Sequence, residues 1–348
     1  MAHSGSAVVY GADDRRDYYE VQEASLRRLF EATSVAFIRD YRIQSLLDGT
    51  LAGIPTWEEL EQLCPGEPFA KQPAAAVCSG ILMGEGLVLT SRHCFGDPDF
   101  TSIRVVFGYY LDGSKHLALT NQDVHEITSI EPSRENALDY AWVRFAGGTR
   151  QNRHPASVVS SPSPVIDGEP LLAVNSGGGV PLKLDQGGSV VDARQETQDY
   201  FLANIDAFRG ASGSGVFNTD GELVGVVKSG SADFVRTRDG CRRTIRLSNA
   251  EAKEEVLYAN RAIEGLCTVE PSESLCGALY EAPRRDHLAP ENANAACAVS
   301  RVVDRKPSSG WGATGTIILA ALAAARRRWK FDVSVLLGLL ASARHQRY

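Results

Sequence analysis

Between residue 75 and about residue 265 the chain consists of short apolar segments separated by turn-forming residues. The segments contain valine and tyrosine, and they are bounded by glycine, aspartate, proline and asparagine. In chain order they read AVCSGILM, GLVLTS, IRVVFGYY, YAWVRFA, PLLAVN, SVVDA and ELVGVVKS. Their length and composition predict the strands of an antiparallel barrel or sandwich. The NTDG segment at 218–221 predicts a hairpin turn between two of these strands.

The composition excludes several classes of protein. Hydrophobic residues make up 43% of the chain and charged residues 23%, which is ordinary for a globular protein and excludes disorder throughout. The formal net charge is −7. Because phosphate contacts need clustered lysine and arginine, we expect no nucleic-acid partner.

The regions on either side of the predicted strands have different patterns. Residues 17–47 predict helix or mixed structure, because SLRRLFEATSVAFI has apolar residues at near-helical spacing. Residues 249–266 predict a closing helix with one charged and one apolar face. The resulting division is an N-terminal extension and wrapping loop (1–74), a strand-rich domain (75–266), a linker (267–310) and a C-terminal tail (311–348).

The C-terminal tail contains the uncharged segment GATGTIILAALAAA at 312–325, followed at once by three arginines. As a helix this segment would span about 21 Å, which is less than the roughly 30 Å of a bilayer core. Two interpretations stay open. One is a packed pair of C-terminal helices, and the other is membrane association through residues 312–328, as an anchor or a sorting segment.

The cysteines indicate an oxidising compartment. The chain has seven, widely spaced and without a CxxC pair, which fits disulfides with one thiol left over. The spacings of His116, His125 and His154 match no zinc signature, so we expect no metal. The N-terminus has no basic region followed by an apolar one. We give more weight to the cysteines and expect a secreted, periplasmic or surface-held protein.

Three segments carry residue types that suit nucleophilic catalysis. His93 lies in CSGILMGEGLVLTSRHCF, Asp139 in ENALDYAWVRF and Ser212 in FRGASGSGVF. A serine hydroxyl needs a base to become nucleophilic, and the imidazole needs a carboxylate that fixes its tautomer. The developing oxyanion needs backbone N–H groups in a turn of small residues. The Gly-x-Ser-Gly frame favours Ser212 over Ser214 as the nucleophile.

With these segments the chain resembles bacterial trypsin-like serine peptidases of the chymotrypsin fold, near the glutamyl-endopeptidase branch. The resemblance covers roughly 7–265. It is carried, in order, by VVYGADDRRDYYE, LCPGEPFAKQPAAAVCSG, LTSRHCF, LDYAWVRF, GGGVPLKLDQGG, ANIDAFRGASGSGVF, VGVVKSG and DGCRR. It implies an all-β fold of two packed six-stranded antiparallel β-barrels, here flanked by the N-terminal helical segment and the apolar tail.

The resemblance also implies the role of each residue at the site. His93 would act as general base and then acid, Asp139 would orient it, and Ser212 would attack the substrate. The backbone N–H groups of Gly210 and Ser212 would form the oxyanion hole. His93 and Asp139 would come from the first barrel and Ser212 from the second.

The resemblance pairs Cys78 with Cys94, which would fix the loop that carries His93. We further pair Cys64 with Cys241 and Cys267 with Cys276, which leaves Cys297 unpaired.

Three residues depart from the family's usual pattern. Arg92 precedes the base, where it points either to solvent or towards the imidazole. Ala211 and Gly215 replace a polar residue and a proline around the nucleophile, and they predict a looser turn. An alternative function is therefore an inactive homologue that binds a peptide or partner.

The residues of the substrate pocket leave the specificity open. The resemblance places Asp206 near the pocket floor, where a carboxylate would favour arginine or lysine. Lys228 and Gly230 would line the opposite wall. Lys228 could pair with Asp206, could itself favour an acidic side chain, or both residues could point away from the pocket.

Taken together, these patterns predict a serine endopeptidase that hydrolyses peptide bonds through an acyl-enzyme. We expect a monomer that acts on polypeptides and needs no cofactor.

Overall fold

The computed structural model describes residues 9–96, 100–135, 137–150, 152–159, 165–230, 232–271 and 275–277. They belong to a unit that spans Met1–Asp286. Most of the expected linker, the tail at 311–348 and Cys297 lie outside the described residues. No helix among the described residues is long and apolar enough to span a membrane.

The described strands are β1 (Val9–Tyr10), β2 (Arg16–Asp17), β3 (Ser34–Arg39), β4 (Ala76–Gly84), β5 (Leu87–Thr90), β6 (Ile103–Phe107), β7 (Val124–Pro132), β8 (Ala141–Phe145), β9 (Pro170–Asn175), β10 (Lys183–Asp192), β11 (Tyr200–Ala203), β12 (Gly215–Phe217), β13 (Leu223–Ser229), β14 (Phe234–Arg236), β15 (Arg242–Thr244), β16 (Arg246–Leu247) and β17 (Glu254–Tyr258). The α-helices are α1 (Ala24–Arg28), α2 (Asp40–Leu47), α3 (Trp57–Glu61) and α4 (Ala259–Val269). A π-helical turn covers Leu29–Thr33, and 3₁₀ helices cover Tyr18–Glu20, Arg92–Phe95, Phe100–Ser102, Asn121–Asp123, Gly177–Gly179 and Asn249–Glu251.

Six strands close the first barrel in the order β3-β4-β5-β8-β7-β6. Every neighbouring pair is antiparallel. Its inward side chains include Val35, Phe37, Val105 and Val143, each without solvent exposure. The strands close on themselves because alternate residues bury one face around this shared core.

The second barrel is also a ring of six antiparallel strands, in the order β9-β10-β11-β17-β13-β12. Phe201, Val216 and Val256 lie in its core. The NTDG turn joins β12 to β13, as the sequence predicts. The prediction of two six-stranded antiparallel barrels is therefore confirmed.

Two parts of the chain differ from the sequence prediction. β3 lies inside the segment that helical spacing favoured, and it pairs with β4 and β6 to close the first barrel. The boundary at residue 75 is therefore too late. At the other end, the predicted closing helix begins only at Ala259, because the preceding residues form β17 of the second barrel.

A shared apolar cluster joins the two barrels. Ile81 and Leu89 of the first barrel belong to the same buried cluster as Leu172 and Val226 of the second, and Ile263 of α4 packs there as well. The three predicted disulfides are confirmed, namely Cys64–Cys241, Cys78–Cys94 and Cys267–Cys276. The barrels thus present a fixed cleft to which both contribute residues.

Candidate active site

His93 lies on a short 3₁₀ turn that follows β5. The Cys78–Cys94 disulfide ties the turn to β4. Asp139, which precedes β8, holds the turn a second time: its Oδ1 accepts the N–H of His93 at 3.1 Å, and its carbonyl accepts the N–H of Arg92 at 3.3 Å. The imidazole is therefore presented from a backbone that is fixed on both sides.

The side chains of Asp139, His93 and Ser212 form a continuous chain of hydrogen bonds. Nδ1 of His93 lies 2.5 Å from Oδ2 of Asp139, and Nε2 of His93 lies 2.9 Å from Oγ of Ser212. The structure thus brings Asp139 and Ser212 into contact with His93, although they lie 46 and 119 positions from it in the sequence. Their roles in catalysis remain predictions.

The charge on Asp139 decides which nitrogen of His93 carries the proton. Burial raises the pKa of Asp139, but the hydrogen bonds from His93 and the positive charge of Arg92 outweigh it, so the pKa lies below its usual value. An ionised carboxylate only accepts hydrogen bonds, so Nδ1 must donate to it. Nε2 is then left to accept the hydroxyl proton of Ser212.

Ser212 lies in a turn that packs directly against the first barrel. Its carbonyl accepts the N–H of Ser79 in β4 at 2.9 Å. The next residue, Gly213, has φ +81°, and a Cβ there would lie 2.0 Å from Oγ1 of Thr90. Only glycine allows this approach. The turn therefore brings the serine of the second barrel to the histidine of the first.

The backbone N–H groups of Gly210 and Ser212, the two predicted oxyanion donors, point away from the residues that bind the preceding carbonyl groups. The carbonyl of Arg209 accepts a hydrogen bond from Gly178, and the carbonyl of Ala211 accepts one from Ser214. In a trans peptide the N–H lies opposite the carbonyl, so the N–H groups of Gly210 and Ser212 face the other way. Neither of them donates to an acceptor among the described residues.

A cleft of about 290 Å³ opens beside His93 and Ser212. Lys228 and Gly230 line it, as predicted. A larger cavity of about 570 Å³, beside Phe69 and Lys115, lies elsewhere and contains none of the predicted catalytic residues. We therefore take the smaller cleft as the candidate substrate pocket.

The prediction that Asp206 lines this pocket is wrong. Asp206 is not among the residues of the cleft and is only 2% exposed. Its Oδ1 accepts the N–H of Tyr10 at 2.8 Å, and its own N–H donates to Oδ2 of Asp185. Burial and the charge of Asp185 raise the pKa of Asp206, while burial raises that of Asp185. Nor does Lys228 pair with Asp206, because its Nζ lies 2.7 Å from Oε2 of Glu255.

Residues 78–226 match the model of the trypsin-like peptidase domain. The matched residues run from β4 to β13 and include His93, Asp139 and Ser212. The match supports a serine peptidase of the trypsin-like class. No similar curated protein was found. Among solved structures, the chain is similar to the VesB protease of Vibrio cholerae, with 14% identity and a TM-score of 0.44 over 73% of this chain and 66% of that one.

Two of the three departures from the usual trypsin-like pattern have a structural reason. Ala211 is buried in the core of the second barrel. A Cβ on Gly215 would lie 2.8 Å from Cζ of Phe217 and 2.9 Å from Cδ1 of Ile81, so a larger residue does not fit there. Backbone hydrogen bonds hold the turn on both sides of Ser212. The expectation of a looser turn stays a prediction.

Arg92, the third departure, faces the carboxylate rather than the base. Its Nε lies 3.8 Å from Oδ1 of Asp139, and its side chain is 36% exposed. In that position its charge favours the ionised state of Asp139. Arg92 thus supports the arrangement of the three side chains.

Besides Ser214, the sequence offers Asp97, Asp99 and Asp123 as alternatives to Asp139, because they precede it in nearby loops. Asp123 is buried and paired with Arg150 and Arg153. Ser214 is fully buried. Asp97 and Asp99 lie outside the described residues.

One group of potential metal ligands comes close together among the described residues, formed by Cys78, His93 and Cys94. Because the two sulfurs form a disulfide, they offer no thiolate to a metal.

Two acidic residues of the cleft were missed from the sequence. Glu254 begins β17, and Asp233 precedes β14. Glu254 falls in the stretch interpreted as helix, so its position on the wall of a pocket was not visible. Asp233 lies in a loop, where the sequence pattern contains no signal for a pocket.

Proposed function

We propose that this protein is a serine endopeptidase that cleaves peptide bonds through an acyl-enzyme at Ser212. The observation that carries the proposal is the hydrogen-bonded chain from Asp139 through His93 to Ser212, at 2.5 Å and 2.9 Å, beside an open cleft. This arrangement is suited to activating a hydroxyl group, because the base and the group that orients it are both in contact.

Acylation follows from the protonation states described above. As Oγ of Ser212 bonds to the substrate carbonyl carbon, its proton passes to Nε2 of His93. The imidazolium that forms is stabilised by the ionised Asp139. The carbon–nitrogen bond then breaks, and His93 returns the proton to the departing amine.

Deacylation repeats these steps with water as the nucleophile. His93 takes a proton from water as the water oxygen bonds to the acyl carbon. The ester bond between that carbon and Oγ of Ser212 then breaks, and His93 returns the proton to Oγ. In both halves the carbonyl oxygen becomes negative, and the N–H groups of Gly210 and Ser212 are the donors that we assign to it. Removing one such donor in other enzymes costs roughly 10²–10³-fold in kcat.

The compartment, oligomeric state and partners of the enzyme are the next part of the proposal. Three disulfides support an oxidising compartment, and hence a secreted, periplasmic or surface-held protein. We propose a monomer that acts on polypeptides without a cofactor or nucleic acid. The relation to the glutamyl-endopeptidase branch stays a prediction. Membrane association through residues 312–328 is also a prediction, and fractionation of the full-length and 1–310 forms tests it.

Hydrolysis of casein and of short arginine and glutamate esters tests the proposal. We expect turnover by the wild type and by Ser214→Ala, and none above background by Ser212→Ala. If the wild type binds peptides without cleaving them, and Ser212→Ala binds equally well, the inactive binding module is correct instead.

A further inference from the structure

We propose that Ser79 and Ser176 position the oxyanion hole, because their hydroxyl groups fix the peptide that lies between its two N–H donors. The inference rests on the proposed function, in which the N–H groups of Gly210 and Ser212 stabilise the oxyanion. The two hydroxyl groups act through the backbone of the nucleophile turn, so both serines are positioning residues.

The peptide between Gly210 and Ala211 sets the orientation of the two donors relative to each other. One donor is the N–H of Gly210 and the other is the N–H of Ser212, so this peptide lies between the two peptides that carry them. Gly210 has φ +104°, and its missing side chain leaves the rotation of the peptide with little steric restraint. Contacts from outside the turn must therefore hold the peptide in one orientation.

The hydroxyl groups of the two serines provide that restraint at the carbonyl of Gly210. Oγ of Ser79 donates to this carbonyl at 2.9 Å, and Oγ of Ser176 lies 3.4 Å from the same oxygen. On the other side of the same peptide, the N–H of Ala211 donates to the carbonyl of Phe208 at 2.8 Å. The peptide is thus bonded at both its polar groups, and rotating it would break these bonds.

The two serines also hold each other. Their Oγ atoms lie 2.8 Å apart, and Oγ of Ser79 accepts the backbone N–H of Ser176 at 3.0 Å. The assignment that uses every proton has the hydroxyl of Ser176 donating to Ser79, and the hydroxyl of Ser79 donating to Gly210. Both side chains are fully buried, where an unpaired hydroxyl or carbonyl group is costly. Burial therefore favours the complete set of bonds.

The neighbouring carbonyl groups of the turn depend on backbone donors, which a side-chain substitution leaves in place. The carbonyl groups of Arg209, Ala211 and Ser212 accept the N–H groups of Gly178, Ser214 and Ser79, respectively. The carbonyl of Gly210 differs from these, because its donors are side-chain hydroxyl groups. Substitution of the two serines should therefore release one peptide of the turn while the rest stays bonded.

The test measures ester hydrolysis by Ser79→Ala, Ser176→Ala and the double variant, with whichever of the arginine and glutamate esters the wild type cleaves faster. Thr33→Val is the matched control, because it removes another buried hydroxyl that donates to a backbone carbonyl, that of Leu29 at 2.8 Å. Complete labelling of Ser212 with a fluorophosphonate counts the reactive sites, and kcat is expressed per labelled site. The affinity for phenylboronic acid is measured in parallel, because its tetrahedral adduct with a serine resembles the transition state.

We expect kcat to fall by roughly 10-fold in Ser79→Ala and by roughly 100-fold in the double variant, which leaves no hydroxyl for the carbonyl of Gly210. Ser176→Ala keeps the bond from Ser79 and should lose less than either. KM should stay unchanged, because the donors bind a charge that develops only after the substrate is bound. The affinity for phenylboronic acid should fall by about the same factor as kcat, and Thr33→Val should keep the wild-type value of all three quantities.

A double variant that is fully labelled and keeps wild-type kcat would overturn the inference. A variant that loses only labelled sites, with kcat per labelled site unchanged, would also overturn it, because that loss indicates a purely structural role. A wild type that is neither labelled nor active would instead overturn the proposed function.

Hydrogen exchange in the wild type, followed residue by residue by NMR, covers the case in which the variants do not fold. We expect the N–H of Ala211 to be protected both in the free protein and in the boronate adduct. The N–H groups of Gly210 and Ser212 should gain protection only in the adduct. If the N–H of Ala211 exchanges as fast as that of Gly210 in the free protein, the peptide is not held in place and the inference is overturned.

Discussion

Tyr10 and Asp206 are joined by a hydrogen bond of 2.8 Å from the backbone N–H of Tyr10 to Oδ1 of Asp206. The two residues are 196 positions apart, so the bond attaches the N-terminal strand to the segment that leads into the nucleophile turn. It also accounts for the orientation of Asp206. The carboxylate accepts this bond inside the protein instead of facing the cleft, and the backbone N–H of Asp206 donates to the buried carboxylate of Asp185.

The Asp185–Asp206 pair predicts a stability that falls as the pH rises. The pKa of Asp206 is raised from 3.8 to about 8, so the stabilisation is fully present below the first value and is lost as the pH rises through the second. Asp206→Asn removes the charge and keeps an acceptor for Tyr10. Relative to the wild type, we expect the free energy of unfolding of Asp206→Asn to increase by about 1–3 kcal/mol as the pH rises from 5 to 9.

Thermal unfolding at pH 5, 7 and 9 measures this difference, at roughly 2–4 °C in Tm for each kcal/mol. Asp220→Asn, on an exposed turn, should follow the wild type at every pH. If the difference in Tm between Asp206→Asn and the wild type is the same at all three pH values, the pKa of Asp206 is not raised by folding.

Gly213→Ala should disrupt the nucleophile turn through a steric clash. Gly213 and Gly221 both have positive φ, +81° and +79°, so alanine strains the backbone equally at the two positions. Only at Gly213 would the new Cβ meet other atoms, at 2.0 Å from Thr90 and 2.4 Å from the carbonyl of Ser79. Nothing lies within 4 Å at Gly221.

We therefore expect Gly213→Ala to lose about 1–3 kcal/mol more stability than Gly221→Ala, together with most of its activity. Denaturant unfolding and ester hydrolysis measure the two effects. Equal losses in the two variants would mean that backbone strain alone matters and that the turn does not pack as described.

Asp139→Asn should reduce turnover without unfolding the protein. The amide no longer fixes the proton on Nδ1 of His93, so the tautomer that can accept from Ser212 is lost. We expect kcat at pH 7 to fall by roughly 10³–10⁴-fold. Asp48→Asn, on an exposed turn, should keep wild-type kcat. A fall of less than about tenfold in Asp139→Asn would argue against the orienting role.

Removal of the Cys78–Cys94 disulfide should affect both stability and activity. The bond closes a loop with a sequence separation of 16, which corresponds to about 3 kcal/mol in the loop-entropy model. It also holds the turn of His93. The Cys267–Cys276 bond closes a similar short loop but does not hold that turn.

Replacing each pair by serines should therefore destabilise both variants to a similar degree, whereas only the Cys78/Cys94 variant should lose kcat under conditions where it is still folded. Urea unfolding and ester hydrolysis below the unfolding transition distinguish the two effects. Full activity of the Cys78/Cys94 variant would show that β5 and Asp139 position His93 without the disulfide.

The residues of the hydrogen-bonded chain could be predicted because short sequence patterns around them indicate their chemistry. His93 follows a strand and precedes a cysteine, and Ser212 lies in a run of glycines and small residues. Such turns tolerate few alternatives. The alternation of apolar and turn-forming segments likewise indicated the two barrels.

The walls of the pocket could not be predicted, because they depend on tertiary contacts. The residues of β3 and β17 have apolar spacing that fits a helix as well as a buried strand, so their type was misassigned. Glu254 lies in the cleft only because β17 pairs with β11 and β13. Asp206 turns away from it because of Tyr10, a partner that no local pattern around residue 206 indicates.

The most direct test of the whole account is the site at which a fluorophosphonate attaches. The wild type is treated with the probe, digested and analysed by mass spectrometry, alongside Ser212→Ala and the denatured wild type. We predict a single stoichiometric adduct on Ser212 that is absent from both controls. A native protein that stays unlabelled, or an adduct on a different serine, would contradict the assignment of Ser212 as the nucleophile.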